Sequence, residues 1–135
     1  MPTLTRWYLK SALAWLAAAA LAGAAVALQP ALDLPPWIAR LRPTYVHMLM
    51  VGWVTQLIFG VAHWMFPKPA PATVPRTDRL GWLAWLALNV GLALRVVAEP
   101  AAPALPLAVL AASAVLQPVA AWLFVAAIWP RVRVR

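Results

Sequence analysis

The sequence predicts an all-α fold, an integral membrane four-helix bundle, and three observations carry that prediction. Of its 135 residues, 65% are hydrophobic and only 10% are charged, outside the range of an ordinary soluble domain. Prolines and charges gather in clusters that separate four apolar runs. Each run is close to the roughly 20 residues a helix needs to cross a bilayer. Basic residues crowd the ends of those runs, where they act as topology signals. Residues 1–135 form one transmembrane domain, too short for a second.

The first span covers residues 7–29 and ends before Pro30. Arg6 and Lys10 ahead of an Ala-rich run give it the look of a secretory signal. The run is longer than the usual signal core of roughly 7–15 residues and contains Trp15, so a retained helix is expected, not cleavage near Ala22–Ala25. Residues 30–43 read as an external Pro-rich loop with Asp33, Arg40 and Arg42, and an interfacial helical turn at 37–41. The second span is residues 44–66, stopped by Pro67. Residues 68–79 are too proline-rich for regular structure. Thr77 is placed to cap the third span, residues 79–98, and Glu99, Pro100 and Pro103 break the chain after it. The fourth span is residues 105–129, ended by Pro130, with a kink expected at Gln117-Pro118. No internal repeat is evident.

Charge sets the orientation. Arg6, Lys10, Lys68, Arg76, Arg79, Arg131, Arg133 and Arg135 fall on one side, and Arg40, Arg42 and Arg95 on the other. The positive-inside rule then places both termini in the cytoplasm, for a protein of the inner (cytoplasmic) membrane. Trp7, Trp37, Trp64, Trp82 and Trp129 stand near span ends, as interfacial belts do. The net charge of +8 is accounted for by topology and anionic lipid, so the expected partner is the lipid bilayer and not nucleic acid. The absence of cysteine excludes disulfides, thiolate-held clusters and c-type heme attachment.

Both histidines lie in the second span, and an ionisable side chain at membrane depth is a functional-site hypothesis by default. His47 and His63 are 16 positions apart, roughly 24 Å at 1.5 Å per residue. They differ by about 160° around an α-helix at 100° per residue. One helix therefore cannot offer both to a single metal ion. Tyr45, Gly52, Gln56, Gly60 and His63 share one stripe, which reads as helix packing because small and hydrogen-bonding residues line such contacts. His47, Met50, Val51, Val54, Ile58 and Met65 share the opposite face. The ordinary expectation for His63 is a partly hydrated interfacial histidine. For His47 it is a buried ring bonded to a carbonyl or to Thr44; the functional alternative is an iron ligand.

Asn89 and Gln117 read as interhelical hydrogen-bonding groups. Arg95 lies at about the depth of His47, and it snorkels to the interface, pairs with Glu99 four residues on, or serves an anionic group of a cofactor. No carboxylate falls inside the spans as drawn, which argues against a proton pump or ion-coupled transporter. The only serines, Ser11 and Ser113, have no histidine–acid neighbours that would make a hydrolytic triad.

The run from Arg42 to Leu94 resembles the catalytic subunit I of heme–copper oxidases and nitric oxide reductases. The residues that carry the likeness are His47, Met50, Gly52, Gly60, Trp64, Pro67, Arg79 and Trp82. In that family a histidine at the outer end of the second helix is an axial ligand of the low-spin heme. The resemblance implies this role for His47. Short four-span relatives of the family often have a histidine where Tyr45 stands here. Two histidines cannot supply the family's full ligand set, so this chain is no complete oxidase.

The sequence thus points to a heme-binding membrane protein, cytochrome b-like or subunit I-like, serving electron transfer or heme handling. Heme b is the expected cofactor, with His47 as its iron ligand. Arg95 and Met50 are the further cofactor-binding candidates, and His63 a weaker metal candidate. No second histidine of the same chain can reach that iron, so the second axial ligand is His47 across a homodimer axis, a residue of a partner subunit in a larger respiratory complex, or a methionine such as Met48 or Met50 from another chain, or else the heme is five-coordinate. The alternative class is a cofactor-free structural or assembly subunit. Copper handling through His47 with Met48 and Met50 is weaker, because adjacent residues point about 100° apart.

Overall fold

The computed structural model describes residues 1–67, 74–101 and 104–132, except the side chains at 74 and 75. Helix α1 (Thr3–Leu28) is an Ala- and Leu-rich run of 26 residues, roughly 39 Å long at 1.5 Å per residue. It ends in a turn where Asp33 takes a left-handed φ of 48°, a conformation Asp tolerates better than most residues. The Gln29 amide donates to the Leu34 carbonyl at 3.3 Å and ties that turn down.

The second span is one continuous helical rod, Pro36–Met65, and it starts earlier than the expected residue 44. It opens with a 3-10 turn at Pro36–Arg40, where the interfacial turn was expected. Helix α2 (Leu41–His47) follows. Pro43 sits in its first turn, where a missing N–H has no intrahelical partner to lose. The chain then widens into a π-helix at Met48–Thr55 and returns to α geometry in α3 (Gln56–Met65). The Thr55 hydroxyl donates back to the Met50 carbonyl at 2.9 Å inside the wide turns. Phe66 is extended, as a residue before proline prefers.

Helix α4 (Val74–Ala101) corrects three expectations at once. Residues 74–79 are helical, not irregular. Thr77 lies inside the helix, 3% exposed, and does not cap it. Glu99 and Pro100 belong to the last turn, so a carboxylate does lie inside the third span. Prolines at both ends are tolerated because each removes a bond only from a terminal turn. Residues 68–73, part of the expected loop, lie outside the described residues, as does Pro103. Helix α5 (Leu107–Ile128) runs on through Pro118 as one α-helix and closes with a 3-10 turn at Trp129–Arg131.

Helices α4 and α5 pack as an antiparallel hairpin, α1 lies along the second span, and the second span joins the two pairs. Leu4, Tyr8, Phe59, Leu88 and Ala120 form the buried core. The Phe59 and Phe124 rings stack at 3.7 Å between centroids and link α3 to α5. The expected packing stripe is the one that faces inward: Gly52, Gln56, Gly60 and His63 are buried, while Met50, Ile58 and Met65 on the other face are 52%, 56% and 71% exposed. A Cβ at Gly52 would stand 2.7 Å from both Trp15 Cβ and Leu92 Cδ2, and one at Gly60 2.8 Å from Tyr8 Cβ. Only glycine lets the π segment approach α1 and α4 this closely.

The fold is therefore an all-α four-helix bundle, and each of its four rods is long and apolar enough to cross a membrane. Large apolar side chains such as Leu21, Leu107, Val115 and Trp122 stand exposed around it, as lipid-facing residues do.

Candidate functional site

Two polar clusters occupy opposite ends of the bundle, with a third layer between them. The first is built around His47 at the end of α2. Its Nδ1 lies 2.9 Å from the Pro43 carbonyl oxygen and 3.1 Å from Glu99 Oε1. The last turn of α4 supplies Glu99, and one turn earlier Arg95 reaches the same oxygen with Nη1 at 3.2 Å. Arg95 Nε donates to Ser113 Oγ at 3.1 Å, and the Gln117 amide donates to that hydroxyl at 3.3 Å. Three helical rods thus meet at one ion-paired group. The side chains of Arg95 and Glu99 are 18% and 11% exposed, so their attraction is screened less than at an open surface.

The His47 side chain is 31% exposed, half-buried where a fully buried ring was expected. It takes the expected carbonyl, from Pro43, and it takes Glu99 in place of Thr44, whose hydroxyl is buried without a partner. With Nδ1 engaged, Nε2 carries no hydrogen bond to any described residue. That arrangement fits an iron ligand: metal-bound histidines almost always donate the other ring N–H to a carboxylate or carbonyl, which fixes tautomer and orientation. Met50 is exposed on the same side of the rod. Arg95 is brought to the depth of His47, with Nε held by Ser113 and Nη1 by Glu99.

His63 sits at the other end and differs from the expectation of a hydrated interfacial ring. It is 6% exposed. Its Nδ1 lies 2.8 Å from the Phe59 carbonyl oxygen, and its ring stacks on Tyr8 with centroids 5.6 Å apart. Nε2 is buried without a hydrogen-bond partner and lies 2.8 Å from where a Cβ on Gly81 would be. Nε2 thus faces the backbone of α4 at close range. Tyr8 donates its hydroxyl proton to the Gly81 carbonyl at 3.0 Å, and the buried Arg131 donates from Nη1 to the His63 carbonyl at 3.2 Å. The reason for burial is packing: Gly60 and Gly81 draw α1 and α4 against α3, and the ring fills the space between.

The histidines are as far apart as the sequence requires. His47 lies beside Glu99 and His63 beside Gly81, which are 18 positions apart on α4 and so roughly 27 Å along it. No group of three metal-ligating side chains occurs among the described residues.

Midway, Asn89 Oδ1 accepts from Trp15 Nε1 at 2.9 Å and from the Gln56 amide at 3.1 Å. Ser11 contacts Gln56 Oε1 and accepts from Trp85 Nε1 at 3.1 Å. This layer joins α1, α3 and α4, and it satisfies groups that would otherwise be stranded at membrane depth. Asn89 is the interhelical group expected of it. The Gln117 amide bonds along its own helix, to Ser113, while its Cγ packs beside Gly91 of α4.

Glu99 pairs with Arg95 as the i, i+4 spacing predicts, but its contact with His47 is not expected from the sequence. Treating Pro100 as a breaker places Glu99 beyond the third span, away from the second.

No family model matches the chain, and no curated protein or solved structure matches it. The class that fold and site define is a four-helix protein with membrane-length spans and a histidine–carboxylate–arginine cluster near one end. The likeness to oxidase subunit I rests on the residues quoted for it alone.

Proposed function

We propose that this chain is a small heme-binding membrane protein, cytochrome b-like or subunit I-like, in which His47 supplies one axial ligand through Nε2. One observation carries the proposal: Nδ1 is held by Pro43 and Glu99, while Nε2 has no described partner on a half-exposed face. A bound heme b would supply one-electron redox chemistry for electron transfer or heme handling. The chain's own residues fix the ligand. Pro43 and Glu99 set the imidazole's orientation, and Arg95 pairs with the same Glu99 oxygen and fixes its position. His47, Met50 and Ile58 lie on an outward side of the second span, so a second ligand would come from another chain, or the heme would be five-coordinate. An isologous dimer is the simplest source, since a twofold axis brings two copies of one residue together. A larger respiratory complex is the other.

A second proposal belongs to a different class: a cofactor-free structural or assembly subunit. The observation in its favour is that neither of two partly open clefts of about 470 Å³, one lined by Gly23, Val26, Arg42, Tyr45 and neighbours and one by Leu57, Ile58, Val61 and neighbours, includes His47. A visible spectrum of the detergent-purified protein separates the two. A Soret band with a reduced α-band supports the cytochrome, and a flat baseline after expression with ample heme supports the scaffold.

A further inference from the structure

We infer that the cleft between the end of α1 and the start of α2 binds the phosphodiester headgroup of an anionic phospholipid. The cleft encloses about 470 Å³ and is partly open. Its apolar wall is Gly23, Val26 and Ala27, and its polar end is Arg42 and Tyr45. The Tyr45 ring packs against Gly23, 3.6 Å from where a Cβ would be, and sets one wall. The walls therefore change from apolar to cationic along the rods, from membrane depth toward the end of the bundle. An amphiphile with a tail and an anionic head matches that sequence of surfaces.

Gln29, which also lines the cleft, donates to the Leu34 carbonyl, while Arg42 and Tyr45 are uncommitted. Arg42 forms no ion pair and Tyr45 no side-chain hydrogen bond among the described residues. The less exposed arginines, Arg95 and Arg131, are by contrast both engaged. A guanidinium and a phenol hydroxyl together offer the charge-assisted donors that a phosphate oxygen takes. Their place at the end of an apolar wall favours a lipid phosphate over a free one. Arg40, two residues away and exposed like Arg42, does not line the cleft and serves as a control for general electrostatic attraction.

The experiment titrates the full chain in detergent with dioleoylphosphatidylglycerol, dioleoylphosphatidylcholine or sodium phosphate. Bound lipid per protein is counted by native mass spectrometry. The glycerol lipid is expected to bind about fivefold tighter than the choline lipid, the factor one basic residue supplies toward an anionic headgroup. Arg42→Gln should remove that preference, Arg40→Gln should keep it, and Ala27→Phe, which fills the apolar wall, should weaken both lipids. Circular dichroism confirms each variant is folded, and the wild-type comparison decides by itself if Arg42→Gln is not. Equal retention of both lipids, or equal loss from Arg40→Gln and Arg42→Gln, overturns the proposal. Competition by sodium phosphate at matched concentration also overturns it, because the site would then belong to a free anion.

Discussion

His47 Nδ1 lies 3.1 Å from Glu99 Oε1, which ties the second span to the last turn of α4. The same oxygen takes Arg95 Nη1 at 3.2 Å, so one carboxylate holds the candidate ligand and balances the arginine.

Glu99→Gln should therefore destabilise the bundle. It removes the counter-charge of a mostly buried arginine, a loss on the order of 1–3 kcal/mol. Thermal unfolding in detergent measures it. If the ligand assignment holds, the variant should also loosen heme or shift its potential without abolishing binding, because the Pro43 carbonyl still orients the ring. An unchanged melting temperature would mean that the pair is solvated.

Gly52→Leu and Gly60→Leu should weaken the fold more than Ile58→Leu. Overpacking a filled site costs about 1–3 kcal/mol, and the positions a Cβ would take at Gly52 and Gly60 are already crowded. Ile58 is 56% exposed and has room. Melting the three variants side by side checks this, and equal stability would place the glycine stripe toward lipid.

The ends of the chain should label from one side. The chain has no cysteine, so single cysteines at Thr3, Ala31, Ala104 and Val132 report without background. Thr3 and Val132 should react with a membrane-impermeant reagent only after the cytoplasmic face is opened, and Ala31 and Ala104 before. The basic residues Arg6, Lys10, Arg76, Arg79 and Arg131 at the first pair's end motivate the sign. Reversed labelling would overturn the orientation, and all four on one side would overturn the bundle's topology in the membrane.

The spans were legible because hydropathy and breakers act over long windows. The inward stripe of the second span was legible too, since Gly52, Gln56 and Gly60 differ in kind from Met50 and Ile58. Helix ends were less so: Pro36, Pro75 and Pro100 sit in terminal turns, where proline does not break a helix. The π segment leaves no simple mark in sequence, although Thr55 bonding to Met50 helps hold it. Within the site, the shared depth of His47 and Arg95 was readable. The burial of His63 was not, because it depends on Tyr8, Gly81 and Arg131 from three other parts of the chain.

The most direct test is the heme-to-protein ratio by pyridine hemochrome on wild type, His47→Ala and His63→Ala, each expressed with ample heme. The wild type should carry heme, His47→Ala should lose it, and His63→Ala should keep most of it if the bundle stays folded. A full complement of heme on His47→Ala, or none on the wild type, would contradict the assignment of His47 as an axial ligand.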